Sequence, residues 1–151
     1  MSESVRPYCE ADLDWMVGCA QEALASIEQY RGGTLGAQRF AGIDMRHALS
    51  SVTLRSDVCV CVGTFDAVPV GFSIAIDRSP LADLVAIYVD PSARALGIGE
   101  ALLESVIEWA HRRNLDGIVG EALPGDRSTK NFFETFGLVA HRLIVYRSLA
   151  D

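Results

Sequence analysis

Apolar residues along this chain recur at two different periods, and the switches between them mark out its elements. Leu13, Met16, Val17, Ala20, Ala23, Leu24 and Ile27 fall at helical spacing. They predict a helix that starts among the acids of Glu10 to Asp14 and ends near Tyr30, before Gly32-Gly33. A less regular helical pattern runs from about Thr34 to Leu49, interrupted by Gly36 and Gly42. Ser4 to Tyr8 reads as a short strand. Asp57 to Gly63 alternates, Phe65 to Pro69 is a turn, and Val70 to Ile76 follows as a second strand, which makes a hairpin. Leu84 to Val89 is a short apolar run closed by Asp90-Pro91, as expected of a buried strand. From Gly99 the period is helical again, with Leu103, Val106 or Ile107, and Ala110, and the pattern lasts to Arg113. Asp116 to Leu123 is a further strand. Asp126 is placed to N-cap a helix through Phe136, with Gly137 as its stop. Leu138 to Leu149 contains neither Gly nor Pro and reads as one long strand. The predicted order is β-α-α-β-β-β-α-β-α-β, an α/β (α+β) chain in a single domain over residues 1–151.

The joint at residues 84–103 carries the chemistry. A strand feeds a loop of small residues with one cation, Arg94, and two glycines, Gly97 and Gly99, and the loop opens a helix. The first amides of such a helix lack internal partners, and its dipole is positive at that end. Glycine lets a ligand approach the backbone closely. The combination is a cradle for phosphate. It is not the dinucleotide fingerprint, because Leu102 stands where the third glycine belongs, and no Gly-Lys-Ser/Thr ending is present.

Composition narrows the partners. The net charge is −7, which disfavours nucleic acid and suits a cationic substrate or plain solubility. Cys9, Cys19, Cys59 and Cys61 form no C-x-x-C, and no His pair completes a zinc pattern, so no metal is expected. Cys59 and Cys61 alternate with valines and should share one strand face as small hydrophobes. The N-terminus lacks a signal-type apolar core, and no apolar run approaches the ~20 residues of a membrane span. A soluble, cytoplasmic protein with free thiols is expected, without a membrane partner. Glu100, Glu104 and Glu108 form a solvated helix stripe.

The spacing Arg94-x-x-Gly97-x-Gly99, between a strand and a helix, resembles the acyl-CoA loop of the GNAT superfamily of N-acetyltransferases. The element order is similar along the whole chain, and the specific likeness covers about Leu81 to Leu138. The resemblance implies that acetyl-CoA is the co-substrate and a small-molecule or peptide amine the acceptor, with direct attack in a ternary complex. It implies that backbone groups from Ala95 through Leu96, Gly97, Ile98, Gly99 and Glu100 to Ala101 hold the pyrophosphate, helped by Arg94. Ile87, Tyr88 and Val89 would bond the pantetheine arm along the strand edge, in a gap between the fourth and fifth strands.

Two departures stand out. Family members usually write Arg-Gly where this chain has Arg94-Ala95. The later family helix reads Asn-x-x-Ala and then Tyr-Glu; here Asp126, Thr129 and Phe133-Glu134 occupy the frame. Phe133 replaces the tyrosine that usually protonates the departing thiolate. A thiol near pKa ~8.5 is a fair leaving group unaided, so turnover is still expected, with Tyr88 or Tyr146 as other hydroxyls near the sheet. The alternative is an acyl-CoA-binding module without catalysis. A base must deprotonate the amine, and Glu121 and Asp83 are the candidates. Against them stand a solvated strand end for Glu121 and a loop-end cap for Asp83. Arg31, Arg39 and Arg46 are candidates to bind a substrate carboxylate, or are ordinary surface charge. Tyr88 and Val89 amides would face the oxyanion. The long last strand leaves a sheet edge to cover, and a homodimer is expected on that ground.

Overall fold

In the computed structural model, residues 2–27, 45–122 and 126–150 are described. Five strands form one sheet in chain order: β1 (Glu3–Pro7), β2 (Val58–Phe65), β3 (Val68–Arg78), β4 (Leu81–Val89) and β5 (Gly117–Val119). The first four pair antiparallel, and β5 joins β4 in parallel. The described helices are α1 (Leu13–Ile27), α2 (Met45–Leu49), α3 (Ile98–Arg112) and α4 (Arg127–Thr135). Both ends of the expected helix over 34–49 differ in standing: its last turn is α2, and residues 34–44 lie outside the described residues, as does Tyr30.

Alternation in β2 and β3 sends side chains to two cores. Val60, Val62 and Phe72 join Met16 and Cys19 of α1 on one face. Ala75, Ala82 and Leu84 join Leu103, Val106 and Ala110 of α3, with Phe133 of α4, on the other. The α3 stripe is the one its 3.6-residue spacing predicts, and Glu100, Glu104 and Glu108 are exposed on its outer side. Gly63 and Gly71 pair across β2 and β3 beneath this helix. A Cβ on Gly63 would stand 2.6 Å from Ile98, and one on Gly71 would stand 2.6 Å from the Tyr88 carbonyl oxygen. The absence of side chains there lets α3 seat its first turn on the sheet.

β4 changes phase partway along. Ala75 of β3 faces Leu84, but its neighbour Ile74 faces Ala86, so Val85 is an extra residue in β4. Before the bulge, Ala82 and Leu84 point to the α3 core. After it, Ala86 and Tyr88 pack on the α1 core, and Ile87 takes the α3 side.

Two strand expectations are corrected. The strand expected over Asp116–Leu123 forms only at Gly117–Val119, because its pairing with β4 ends at the Asp83–Val119 rung. The long strand expected over Leu138–Leu149 does not form: residues 138–150 have no regular structure. A strand needs a hydrogen-bonded neighbour, and this stretch has none among the described residues. Leu143, Val145 and Leu149 are each more than 80% exposed. Gly137, with φ at +82°, closes α4 as expected.

Candidate active site

β4 and β5 stay together for three rungs, Leu81–Gly117, Ala82–Ile118 and Asp83–Val119. Beyond Asp83 they part. From Leu84 to Val89, β4 is paired with β3 alone among the described residues, so its other edge offers free backbone groups to an extended arm. Ile87, Tyr88 and Val89 lie on that edge.

The loop that follows is shaped by local bonds. The Asp90 carboxylate accepts from the Ser92 amide at 2.8 Å and from the Ser92 hydroxyl at 2.6 Å, which closes a tight turn at Pro91–Ala93. Arg94 then donates from Nε to the Val89 carbonyl at 3.2 Å. Ala95 at φ +76° and Gly97 at φ +80° both adopt the left-handed region. Those two reversals bring Gly97 to the N-cap of α3, where its carbonyl accepts from Ala101 at 3.1 Å. The amides of Ile98, Gly99 and Glu100 therefore open the helix without helical partners. Gly99 also admits Phe132 of α4, whose ring would be 3.3 Å from a Cβ there. Leu96 is half-exposed on the loop. On the other side, the Glu3 carboxylate comes within 3.8 Å of where a Gly97 Cβ would stand. An anion cradle, a guanidinium and a free strand edge are thus contiguous. They fit an anionic head group with an extended amide arm.

Tyr88 stands on the α1 face of this edge. Its ring stacks on Phe72 with centroids 5.6 Å apart, and its hydroxyl donates to Glu22 Oε2 at 3.4 Å. Burial first, then the nearby Cys19, Asp90 and Glu22, push its hydroxyl up to about 12, so it keeps its proton. Asp83 occupies the last shared rung, with Oδ2 3.0 Å from Arg78 Nε. Glu121 lies past the end of β5 and is exposed. The fork thus holds Asp83 and Tyr88 on one strand, while Glu121 stands outside the paired region.

Asp126 caps α4 as its sequence position predicts. It accepts from the Thr129 amide at 3.1 Å and from the Thr129 hydroxyl at 2.7 Å, so both side chains are engaged with each other. Phe133 is 7% exposed, in the α3 core, with its ring against Gly120. Arg46 pairs with Asp14, and Arg31 and Arg39 lie outside the described residues. The sequence gives no reason to name Glu22, and it reads Cys19 as a free thiol with no part in the site. They stand more than 60 residues before Tyr88, and only the packing of α1 on the sheet brings them to it.

The match to the GNAT acetyltransferase family covers residues 20–138. The chain belongs to that family. Its five-stranded mixed sheet with helices on both faces is the GNAT fold. Similar solved structures include AAC(6')-Iy in complex with a bisubstrate analogue of CoA and acetylneamine, at 18% identity. That match covers 99% of this chain and 100% of the other, with a TM-score of 0.72. The PaiA N-acetyltransferase of Thermoplasma acidophilum, in complex with coenzyme A, is 16% identical over 90% of this chain and 89% of its own, with a TM-score of 0.74. An aminoglycoside acetyltransferase from an uncultured soil sample, in complex with trehalose, is 15% identical over 98% and 95%, with a TM-score of 0.69. No curated protein sequence matches the chain. No described helix of this GNAT protein is long and apolar enough to cross a membrane.

Proposed function

We propose that this GNAT acetyltransferase moves an acetyl group from acetyl-CoA to a primary amine by direct attack in a ternary complex. The observation that carries the reading is the β4 edge at residues 84–89, unpaired among the described residues, joined by one short loop to a helix N-terminus opened by Gly97. The pyrophosphate would sit on the amides of residues 95–101, with Arg94 adding charge-assisted bonds. The pantetheine arm would pair with Ile87–Val89 as an added strand. The oxyanion formed on attack would take its hydrogen bonds from amides near Tyr88 and Val89.

Phe133 has no proton to give, and Tyr88 carries the one hydroxyl on the β4 edge at residues 84–89. Its value of about 12 lies well above the ~8.5 of a thiol. Full proton transfer to the thiolate would be uphill by ~5 kcal/mol, so Tyr88 acts by donating a hydrogen bond to the developing charge. Tyr88→Phe keeps the ring on Phe72 and should lower kcat by roughly 10-fold with little change in KM for acetyl-CoA. The amine's proton leaves through Asp83 or Glu121. If alanine at both positions left turnover and the pH–rate profile intact, neither would be the base.

A net charge of −7 favours a cationic acceptor. The test is thiol release from acetyl-CoA with a panel of polyamines, aminoglycosides, amino acids and short peptides. Amine-dependent release is expected. Binding of acetyl-CoA by calorimetry without release would favour the second reading, an acyl-CoA-binding module, to which Phe133 lends support. Loss of both would overturn the site.

The free thiols suit a reducing compartment such as the cytoplasm. The exposed apolar stretch after α4 suits burial against a second copy, which light scattering would register as a dimer mass.

A further inference from the structure

Arg94 makes a contact that a plain phosphate anchor does not need. The Asp90 amide donates to the Val70 carbonyl at 2.7 Å, so Asp90 turns that group toward β3. The Tyr88 carbonyl oxygen also lies on the β3 side, 2.6 Å from where a Gly71 Cβ would stand. Backbone groups alternate sides along an antiparallel strand. Those of Val89, and of Ile87 before it, therefore point to the open flank of β4. Arg94 donates from Nε to one of them, the Val89 carbonyl, at 3.2 Å. An arm laid along this edge as an added strand would use that oxygen as an acceptor, and the chain's own guanidinium already takes it.

Little holds Arg94 in that position. Its side chain is exposed, and the Val89 carbonyl is its one hydrogen-bond partner among the described residues. The neighbouring Asp90 carboxylate is engaged by the Ser92 amide and hydroxyl. A guanidinium on a neutral carbonyl has a stronger partner in a pyrophosphate, which offers full charge and a bidentate match. The cradle for that group, the amides that open α3 after Gly97, lies on the same loop. The Val89 carbonyl and the cradle are thus alternative places for one side chain.

We propose that, with this edge and cradle read as the acetyl-CoA site, Arg94 is a donor-specificity residue that makes the β4 edge conditional on the head group. Arg94 leaves the Val89 carbonyl for a pyrophosphate seated on the cradle, and that oxygen is then open to an amide of the arm. When the arm ends without a pyrophosphate, Arg94 stays on Val89 and the edge has one acceptor fewer. The chain thereby selects acyl-CoA over acyl-pantetheine thioesters. Only hydrogen bonds are exchanged.

The test uses the full chain with inorganic pyrophosphate and S-acetylpantetheine, read by amide NMR at Ile87 and Val89, and calorimetry for acetyl-CoA. In the wild type, saturating pyrophosphate should tighten S-acetylpantetheine by about 3–10-fold, the gain from one freed hydrogen bond. S-acetylpantetheine should tighten pyrophosphate by the same factor. Arg94→Ala should bind S-acetylpantetheine about 3–10-fold more tightly than the wild type, with no further gain from pyrophosphate, and should bind acetyl-CoA more weakly. A residue that only anchors phosphate would leave S-acetylpantetheine unchanged in both comparisons. That result, or no S-acetylpantetheine binding with or without pyrophosphate, overturns the inference while acetyl-CoA still binds. Wild-type protein that fails to bind acetyl-CoA overturns the reading of the site and this inference with it. The pyrophosphate comparison is made on the wild type, so a folding defect in Arg94→Ala leaves it decisive.

Discussion

Replacing Asp12 with asparagine removes one buried charge and little else. Asp12 is 4% exposed. Arg6 of β1 grips it with two parallel hydrogen bonds, Nη1 to Oδ2 and Nη2 to Oδ1, both 2.8 Å. The Cys9 amide donates to Oδ2 at 3.0 Å, across the tight turn that leads into α1. Hydrogen bonding from Arg6 outweighs burial and, with the Cys9 amide, draws the carboxyl down to about 2 from 3.8. The difference of about 1.8, at ~1.36 kcal/mol per unit, makes the ionised form worth up to ~2.4 kcal/mol. Arg6 is 39% exposed and solvent screens that side, so ~2 kcal/mol is the expected loss at pH 7. For a chain of this size that lowers Tm by roughly 4–8 °C. The folded value is depressed, so the contribution is present above pH ~4 and fades as pH falls from there toward about 2. Urea denaturation of both proteins should show a constant gap from pH 7 to pH 5 that shrinks below pH 4. A variant within 0.5 kcal/mol of the parent at pH 7, taken here as roughly the limit of a surface effect, would refute the reasoning. So would a gap that persists unchanged at pH 3.

Three further outcomes follow from the loop and its seat. Ala95→Gly removes a Cβ from a left-handed residue at φ +76° and should raise stability by about 1 kcal/mol, read as a higher midpoint in urea. Gly71→Ala sets a Cβ 2.6 Å from the Tyr88 carbonyl oxygen, a backbone atom that cannot rotate away. It should cost roughly 3 kcal/mol or more and weaken acetyl-CoA binding in calorimetry. Glu3→Gln removes a like charge beside Gly97 and should lower KM for acetyl-CoA by about 2–5-fold at low salt, an effect that shrinks as salt rises.

The stretch from β4 to α3 was legible because its information is local. Asp90-Pro91 ends the strand, glycines turn the chain, and a 3.6-residue stripe begins. The Asp126 cap and the shared face of Cys59 and Cys61 were legible for the same reason. The Val85 bulge was not: Leu84 to Val89 is apolar in either phase, so alternation carries no sign of a slip. The approach of Tyr88 to Glu22 is set by how α1 packs on the sheet. The last strand was misread because an apolar, β-prone composition states only a willingness to pair, and pairing needs an edge. The same composition predicts a strand through Glu121, while β5 stops where β4 leaves it.

The one-residue slip at Val85 also divides β4 by the kind of change it tolerates. Before it, residues 81–83 pair with both β3 and β5, and Ala82 and Leu84 are packed into the α3 core, so drift at those two core positions is answerable to folding. The residues after it keep one neighbour and an open flank, and variation there is judged by what the protein binds. A deletion of Val85 would merge the two regimes. It would set Leu84 directly before Ala86, let β4 pair with β3 without a slip, and leave Tyr88 on the α1 face.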